Sequence, residues 1–115
     1  MVKIRRVYDP QEPGENFTIL VDRLWPRGIS KEQANWNEWM KEIAPSSKLR
    51  KWFGHDISRW NEFKKLYADE LRQKKSDLIK IKRFEATHKA ITLLFAASDR
   101  EHNNACVLFE MLTAM

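Results

Sequence analysis

The chain has 115 residues, of which 43% are hydrophobic and 32% are charged. This length and balance are typical of a single compact domain over residues 1–115, and they exclude a disordered or fibrous chain. The single cysteine excludes an intramolecular disulfide and a cysteine zinc cluster. No stretch is long and apolar enough for a membrane span or a signal peptide, so we expect a cytoplasmic protein with no membrane partner.

The net charge of +5 is spread over both halves of the chain. It therefore favours anionic partners without distinguishing a small molecule from nucleic acid. The densest basic run lies within residues 74–83. Such a run is either a solvated helix face or a phosphate-contacting surface.

Three segments predict β-strands: residues 2–8, residues 17–21 and residues 89–97. The second and third are almost continuously apolar, which is typical of strands covered on both faces. About eight residues connect the first two strands, fewer than a parallel crossover between neighbours needs. We therefore expect this pair to be either antiparallel, or parallel but not adjacent.

Helices are predicted by capping signals and by apolar residues at helical spacing. Ser30 with Gln33 predicts a short helix that carries Trp36 and Trp39. Further helices are expected over residues 45–52, residues 58–71, residues 76–87, and from about residue 99 to the C-terminus. The order of elements indicates the α/β class, with a small three-stranded mixed or parallel sheet flanked by about five helices.

The loop after the second predicted strand carries several groups suited to binding an anion. Asp22 directly follows the apolar run and can orient an arginine or act as an acid or base. Arg23 and Arg27 each offer a bidentate fork to phosphate or carboxylate, and Trp25 offers a flat face for stacking. An equally good interpretation is that Asp22 pairs with one of these arginines and only fixes the loop.

A second candidate lies where Gly54 breaks a predicted helix and is followed by His55 and Asp56. A histidine beside a carboxylate can act as a general base. The alternative is that His55 fastens the turn by hydrogen bonds. Trp25 and Trp52 are the two tryptophans nearest these candidates, and both are expected to flank the pocket.

The third candidate follows the last predicted strand, where Asp99, His102 and Asn103 lie near a helix start. Ligands collect at the carboxyl ends of strands in open α/β sheets, so this segment and the Asp22 loop are expected to meet in one crevice. Asp99 and Glu101 in the first helical turn would repel a phosphate. Asp99 is expected to pair with an arginine across the crevice instead, and no phosphate-cradling glycine loop is present.

These residues together predict a pocket for a small anionic ligand of phosphate or nucleotide type. Asp22 and His55 are the candidate catalytic groups. The candidate ligand contacts are Arg23, Trp25, Arg27, Asp56, Asp99, His102 and Asn103. The alternative is a nucleic-acid-associated module that uses the basic helices around residues 74–83. The sequence predicts no metal site and identifies neither a cofactor, a reaction nor an oligomeric state.

Three motifs resemble a bacterial domain-of-unknown-function family, the YeaO-like proteins. They are Val-Asp-Arg-Leu-Trp-Pro-Arg-Gly at residues 21–28, the segment from Ala-Pro-Ser-Ser to Gly-His-Asp at residues 44–56, and Thr-Leu-Leu-Phe-Ala-Ala-Ser-Asp at residues 92–99 followed by His102 and Asn103. The resemblance covers nearly the whole chain. It implies one α/β domain in the cytosol and no established activity.

Two departures from that family are visible. An Asp-Gly-aromatic-Arg lead into the second strand is replaced by Glu-Asn-Phe-Thr at residues 15–18, so the arginine is absent. Longer relatives carry Cys-His-Arg near the start of the last helix. This chain has Glu-His-Asn-Asn at residues 101–104, which removes the thiol from that position.

Overall fold

The computed structural model describes residues 1–115 as a four-stranded sheet with four α-helices. The strands are β1 (Val2–Arg6), β2 (Thr18–Leu20), β3 (Glu38–Trp39) and β4 (Ile91–Phe95). The helices are α1 (Ser47–Phe53), α2 (Trp60–Arg72), α3 (Lys75–His88) and α4 (Asn104–Thr113), with short 3-10 turns at Lys41–Ile43 and Ile57–Arg59. The α/β class is confirmed. The prediction of three strands and about five helices was wrong in its counts.

The sheet has the order β1-β4-β2-β3, and every neighbouring pair is parallel. In the centre, Ile19 of β2 lies opposite Leu93 of β4. Because β4 lies between β1 and β2, those two strands are parallel without being adjacent. This is the second of the two arrangements that the short first connection allowed.

The segment before β3 is where the sequence prediction failed. Ser30 and Gln33 do form the reciprocal capping bonds, from Ser30 N to Gln33 Oε1 at 2.9 Å and from Gln33 N to Ser30 Oγ at 3.2 Å. However, Asn37 N donates to Thr18 O at 3.0 Å, and Asn37 Oδ1 accepts from Thr18 N at 2.9 Å. Pairing with β2 therefore begins at Asn37, only four residues after Gln33, which leaves room for one turn and not for a helix.

The two faces of the sheet are covered differently. All four helices contribute to the main core on one face, together with Ile19 and Leu93. On the other face, Leu20 and Leu94 pack with Trp36, from the irregular segment between β2 and β3, and with Trp39 of β3. The prediction that β2 and β4 are covered on both faces is confirmed. The cover of the second face is tryptophan-rich loop rather than helix.

The last helix begins later than its predicted start at about residue 99. Asn103 caps α4, its Oδ1 accepting from Cys106 N at 3.1 Å. Asp99 instead closes a separate turn by accepting from the backbone N–H groups of Glu101 and His102. Consequently the first turn of α4 contains no acidic residue. None of the helices is long and apolar enough to span a membrane.

The connection from β1 to β2 is held by a buried ion pair. Arg5 Nε lies 2.7 Å from Glu15 Oε2 and Arg5 Nη2 lies 3.0 Å from Glu15 Oε1, a bidentate geometry. Their side chains are only 5% and 1% exposed. Arg5 Nη1 also donates to Asp9 O at 2.7 Å. Together these bonds hold the loop between β1 and β2 at two points, Asp9 and Glu15, against Arg5 of β1.

Candidate functional site

A cavity of about 380 Å³ opens beyond the carboxyl ends of β2 and β4. It lies between the loop that follows β2, helix α1 and the segment from β4 to α4. A volume of this size suits a small-molecule ligand. The polar and charged residues of its lining are Tyr8, Asp22, Arg23, Arg27, Arg50, His55, His102, Asn103 and Asn104.

Asp22 joins the ends of the two central strands. Its Oδ2 accepts from Ala96 N at 2.8 Å, and its Oδ1 accepts from Asn104 Nδ2 at 3.1 Å. Asn104 Nδ2 also donates to Val21 O at 3.0 Å, so this amide is fixed as a donor. Burial raises the pKa of Asp22, against the stabilising effect of these hydrogen bonds and of the positive charge of Arg50.

The raised pKa gives Asp22 a defined effect on stability. A group whose folded-state pKa lies above its unfolded value contributes most below the unfolded value, and loses that contribution as pH rises through the folded value. We therefore expect the wild type to gain stability relative to Asp22→Asn as pH falls from about 7 to about 4. Urea unfolding of both proteins at each pH measures this difference. A difference that grows towards pH 7 would contradict the expectation.

Three arginines line the same cavity. Arg23 is held by the backbone, with Nε donating to Pro45 O at 3.1 Å and Nη2 donating to Ala44 O at 3.2 Å. The guanidinium groups of Arg27 and Arg50 form no ion pair within the chain. Since Asp22 is the one carboxylate of the lining, the charged side chains leave an excess of positive charge.

Arg50 is the one charged lining residue that the sequence analysis missed; it also missed the polar residues Tyr8 and Asn104. It lies on α1, which begins at the Ser46 cap and ends at Gly54 in the left-handed conformation. An exposed arginine on a short helix looks like any solvated surface residue in a sequence. The one available signal was its position inside the segment at residues 44–56 that resembles the YeaO-like proteins.

His55 reaches the cavity from the turn after α1. Gly54 and His55 both have positive φ, 52° and 59°, so two successive left-handed residues reverse the chain there. Histidine tolerates this conformation better than bulky or β-branched residues do. The ring of His55 lies 6.2 Å from that of Phe53, another lining residue. The side chain of His55 makes no hydrogen bond that would fasten the turn, and that alternative interpretation is not supported.

Two predicted contacts lie outside the cavity. Asp56 is exposed, and its Oδ1 accepts from Ser58 N and Oγ at 3.0 and 2.6 Å. Asp99 does not pair with Arg23 or Arg27 as we expected. Its carboxylate lies 3.0 Å from His102 Nδ1, and His102 is itself part of the lining.

Trp25 forms the aromatic edge of the cavity. Its ring is 38% exposed, and its Nε1 donates to Ile29 O at 2.6 Å. It packs edge-on against Trp36 and Trp39, with centroids 4.9 and 5.6 Å away. Trp52 does not line the cavity, and the expectation that it flanks the pocket was wrong: it packs against the main core.

The start of α4 also faces the cavity, through Asn103 and Asn104. Asn103 is buried and uses both ends of its amide, since its Nδ2 donates to Asp99 O at 2.9 Å while its Oδ1 caps the helix. We expected acidic residues in this first turn to repel an anion. Because α4 begins at Asn104 instead, its own first turn carries no acidic residue, and the carboxylate at that end of the helix is that of Asp22.

The β1–β2 connection ties together the two loops on either side of the cavity. Tyr8 Oη donates to Arg27 O at 2.8 Å. Asp9 forms a bidentate pair with Arg100, at 2.6 and 2.9 Å. The loop after β2 and the loop after β4 are thus each anchored to neighbouring residues of one short segment. No group of three His, Cys, Asp or Glu side chains in the structure converges with metal-binding geometry.

Comparison with known proteins gives matches along the whole chain. Residues 1–115 match a family described as the inactive DUF488-N3 subclade. The chain is 39% identical over 114 residues to the uncharacterized protein YeaO of Escherichia coli K12, covering 99% of this chain and 98% of that protein. It is 32% identical over 111 residues to uncharacterized proteins of Mycobacterium bovis and Mycobacterium tuberculosis, covering 96% of this chain and 92% of theirs. No solved structure matches significantly.

Proposed function

The chain belongs to the inactive DUF488-N3 subclade, in agreement with its resemblance to YeaO-like proteins. From the charged lining of the cavity beyond β2 and β4, we propose that it binds a small anionic ligand there. The ligand is of phosphate or nucleotide type. The observation that carries the proposal is the charge of the lining, three arginines against one buried carboxylate. The proposed setting is the cytoplasm, which agrees with the single free Cys106.

The carboxylate does not cancel the arginines. Both oxygens of Asp22 already accept hydrogen bonds, from Ala96 N and Asn104 Nδ2, and burial disfavours its charged form. Arg27 and Arg50 are therefore available for charge-assisted hydrogen bonds with a ligand. The start of α4 adds a favourable dipole at the same cavity.

Binding is favoured over turnover. The family is described as inactive, and the hydrogen bonds of Asp22 hold it in place as a structural link rather than leaving it free to move a proton. If the site is catalytic in this chain, the groups we propose for acid–base chemistry are Asp22 and His55. His55 has the more accessible side chain of the two.

A thermal-shift experiment tests the proposal directly. A ligand at about 100 times its Kd adds about 2.7 kcal/mol to the free energy of unfolding, which raises Tm by roughly 10 °C in a domain of this size. We expect this response to inorganic phosphate, sulfate or adenosine monophosphate at sufficient concentration. Arg27→Ala should weaken the affinity about tenfold, since it removes a charged hydrogen-bond donor.

Lys31→Ala is the matched control. Lys31 is an exposed residue of the same segment that does not line the cavity, and its replacement changes the net charge equally. It should leave the affinity unchanged. The proposal is refuted if none of the three anions shifts the wild-type Tm, or if Arg27→Ala and Lys31→Ala weaken binding to the same degree.

Nucleic-acid binding through residues 74–83 has weaker support. Lys74 Nζ donates to Glu42 O and Ala44 O, Lys80 pairs with Glu38, and Lys82 pairs with Glu85. Much of this basic run is therefore engaged within the chain. Phosphate contacts to nucleic acid would make binding fall steeply with salt, whereas binding in the cavity should respond less.

A further inference from the structure

His102 is held on several sides within the cavity wall. Its Nδ1 lies 3.0 and 3.1 Å from the two oxygens of Asp99. Its backbone N–H donates to Asp99 Oδ1 at 3.0 Å, and its ring meets Trp60 edge-on with centroids 5.2 Å apart. Nε2 makes no hydrogen bond within the chain. The ring thus has one nitrogen committed to a carboxylate and one without a partner in the chain, and His102 is a residue of the cavity lining.

This arrangement determines what the neutral ring can offer. Asp99 accepts a hydrogen bond from Nδ1–H, so the neutral ring carries its proton on Nδ1 and an acceptor lone pair on Nε2. An acceptor does not bind a fully deprotonated anion. Once protonated, the ring donates from both nitrogens, to Asp99 on one side and to the cavity on the other.

We propose that Asp99 positions His102 so that the imidazole takes up a proton from solvent when the cavity binds an anion. This inference rests on the proposed anion-binding function and adds that the affinity is linked to pH. Asp99 acts here as a positioning residue, because it touches His102 and not the cavity. His102 makes the contact with the ligand.

The charged groups around His102 are consistent with this linkage. Trp60, which packs against the ring from α2, carries no charge, and the first turn of α4 has no acidic residue. Asp99 stabilises the imidazolium, and a bound anion compensates the repulsion from the cavity arginines. The other titratable or charged groups of the cavity are Asp22, Arg23, Arg27, Arg50, His55 and Tyr8.

The test uses sulfate, because its charge does not change between pH 5.5 and pH 8. We expect calorimetric titration of the wild type to give about tenfold tighter binding at pH 5.5 than at pH 8, because only the protonated ring can donate a charged hydrogen bond to the anion. His102→Gln should reduce this ratio to about twofold or less. His88→Gln, outside the cavity, should retain the full ratio.

The Asp99→Asn variant tests whether Asp99 positions the ring of His102 or only supports the turn that it closes. The Asn Oδ1 can still accept from the N–H groups of Glu101 and His102, while its Nδ2 faces the ring and donates to Nδ1. The neutral ring then carries its proton on Nε2 and can donate to sulfate at pH 8. We expect the pH ratio to fall to about twofold or less while sulfate still binds, with circular dichroism unchanged.

The outcomes distinguish this inference from the proposed function. A wild-type affinity that does not change with pH overturns the inference alone, and so does a full ratio in His102→Gln or in Asp99→Asn. Loss of the ratio in His55→Gln with its retention in His102→Gln overturns it as well. Absence of binding for sulfate, phosphate and adenosine monophosphate at both pH values overturns the proposed function itself.

Discussion

Glu15→Ala is expected to lower the free energy of unfolding by about 3–5 kcal/mol, because it leaves the guanidinium of Arg5 buried without its counter-ion. The side chains of Arg5 and Glu15 are 5% and 1% exposed, so water cannot replace the lost carboxylate without opening the β1–β2 connection. A loss of this size is a large fraction of the total stability of a small domain. Urea unfolding at pH 7 measures it.

Two further variants identify the cause of that loss. Glu12→Ala removes the same charge from an exposed position of the same loop and should change stability by less than about 0.5 kcal/mol. Replacing both partners, as Arg5→Met with Glu15→Leu, should recover most of the stability, because paired apolar side chains can substitute for a buried ion pair. A Glu15→Ala loss no larger than that of Glu12→Ala would contradict the assigned role of the pair.

Arg50→Ala is expected to weaken anion binding roughly 10- to 100-fold, the equivalent of one charged hydrogen bond. We expect a larger effect than for Arg27→Ala, since α1 holds Arg50 on a helix while Arg27 lies in a loop. Alanine is a strong helix former, and Arg50 is exposed, so α1 should remain folded. Titration with adenosine monophosphate measures the affinity.

Lys51→Ala provides the comparison for Arg50→Ala. Lys51 is the next residue of the same helix, is exposed, and does not line the cavity. Both variants lose one positive charge, so long-range electrostatic effects are matched. Equal affinities for the two variants would show that Arg50 contributes only to the general charge of the surface, and would remove it from the site.

The sequence predicts the parts of the fold that have strong local signals. The apolar runs at residues 17–21 and residues 89–97 identify β2 and β4, the central strands, because their side chains suit a sheet covered on both faces. The helix predicted over residues 45–52 and broken at Gly54 corresponds to α1, at Ser47–Phe53. β3 has only two residues, Glu38 and Trp39, and exists because Asn37 is tied to Thr18. No local pattern encodes that contact.

The site residues that follow a strong local sequence signal could be predicted, and those placed by the packing of the whole fold could not. Asp22 and Arg23 follow a recognisable strand, and the carboxyl ends of parallel strands converge, so their place in the cavity was deducible. Arg50 enters through the packing of α1, which depends on the whole fold. Asp99 was assigned to the wrong partner because the last helix was expected to begin at about residue 99, whereas Asn103 caps it and Asp99 closes a separate turn with the N–H groups of Glu101 and His102.

The irregular cover on the second face of the sheet has a consequence for how the molecule opens. Trp36 and Trp39 pack over Leu20 and Leu94 from the stretch after β2, whose only regular element is the two-residue strand β3. Such a segment can detach in a local fluctuation while the helical face stays intact. Trp25 belongs to the same aromatic group and also lines the cavity. Amide exchange in residues 22–37 therefore reports on the cavity. A bound anion should slow exchange in this segment more than it slows exchange in the helices.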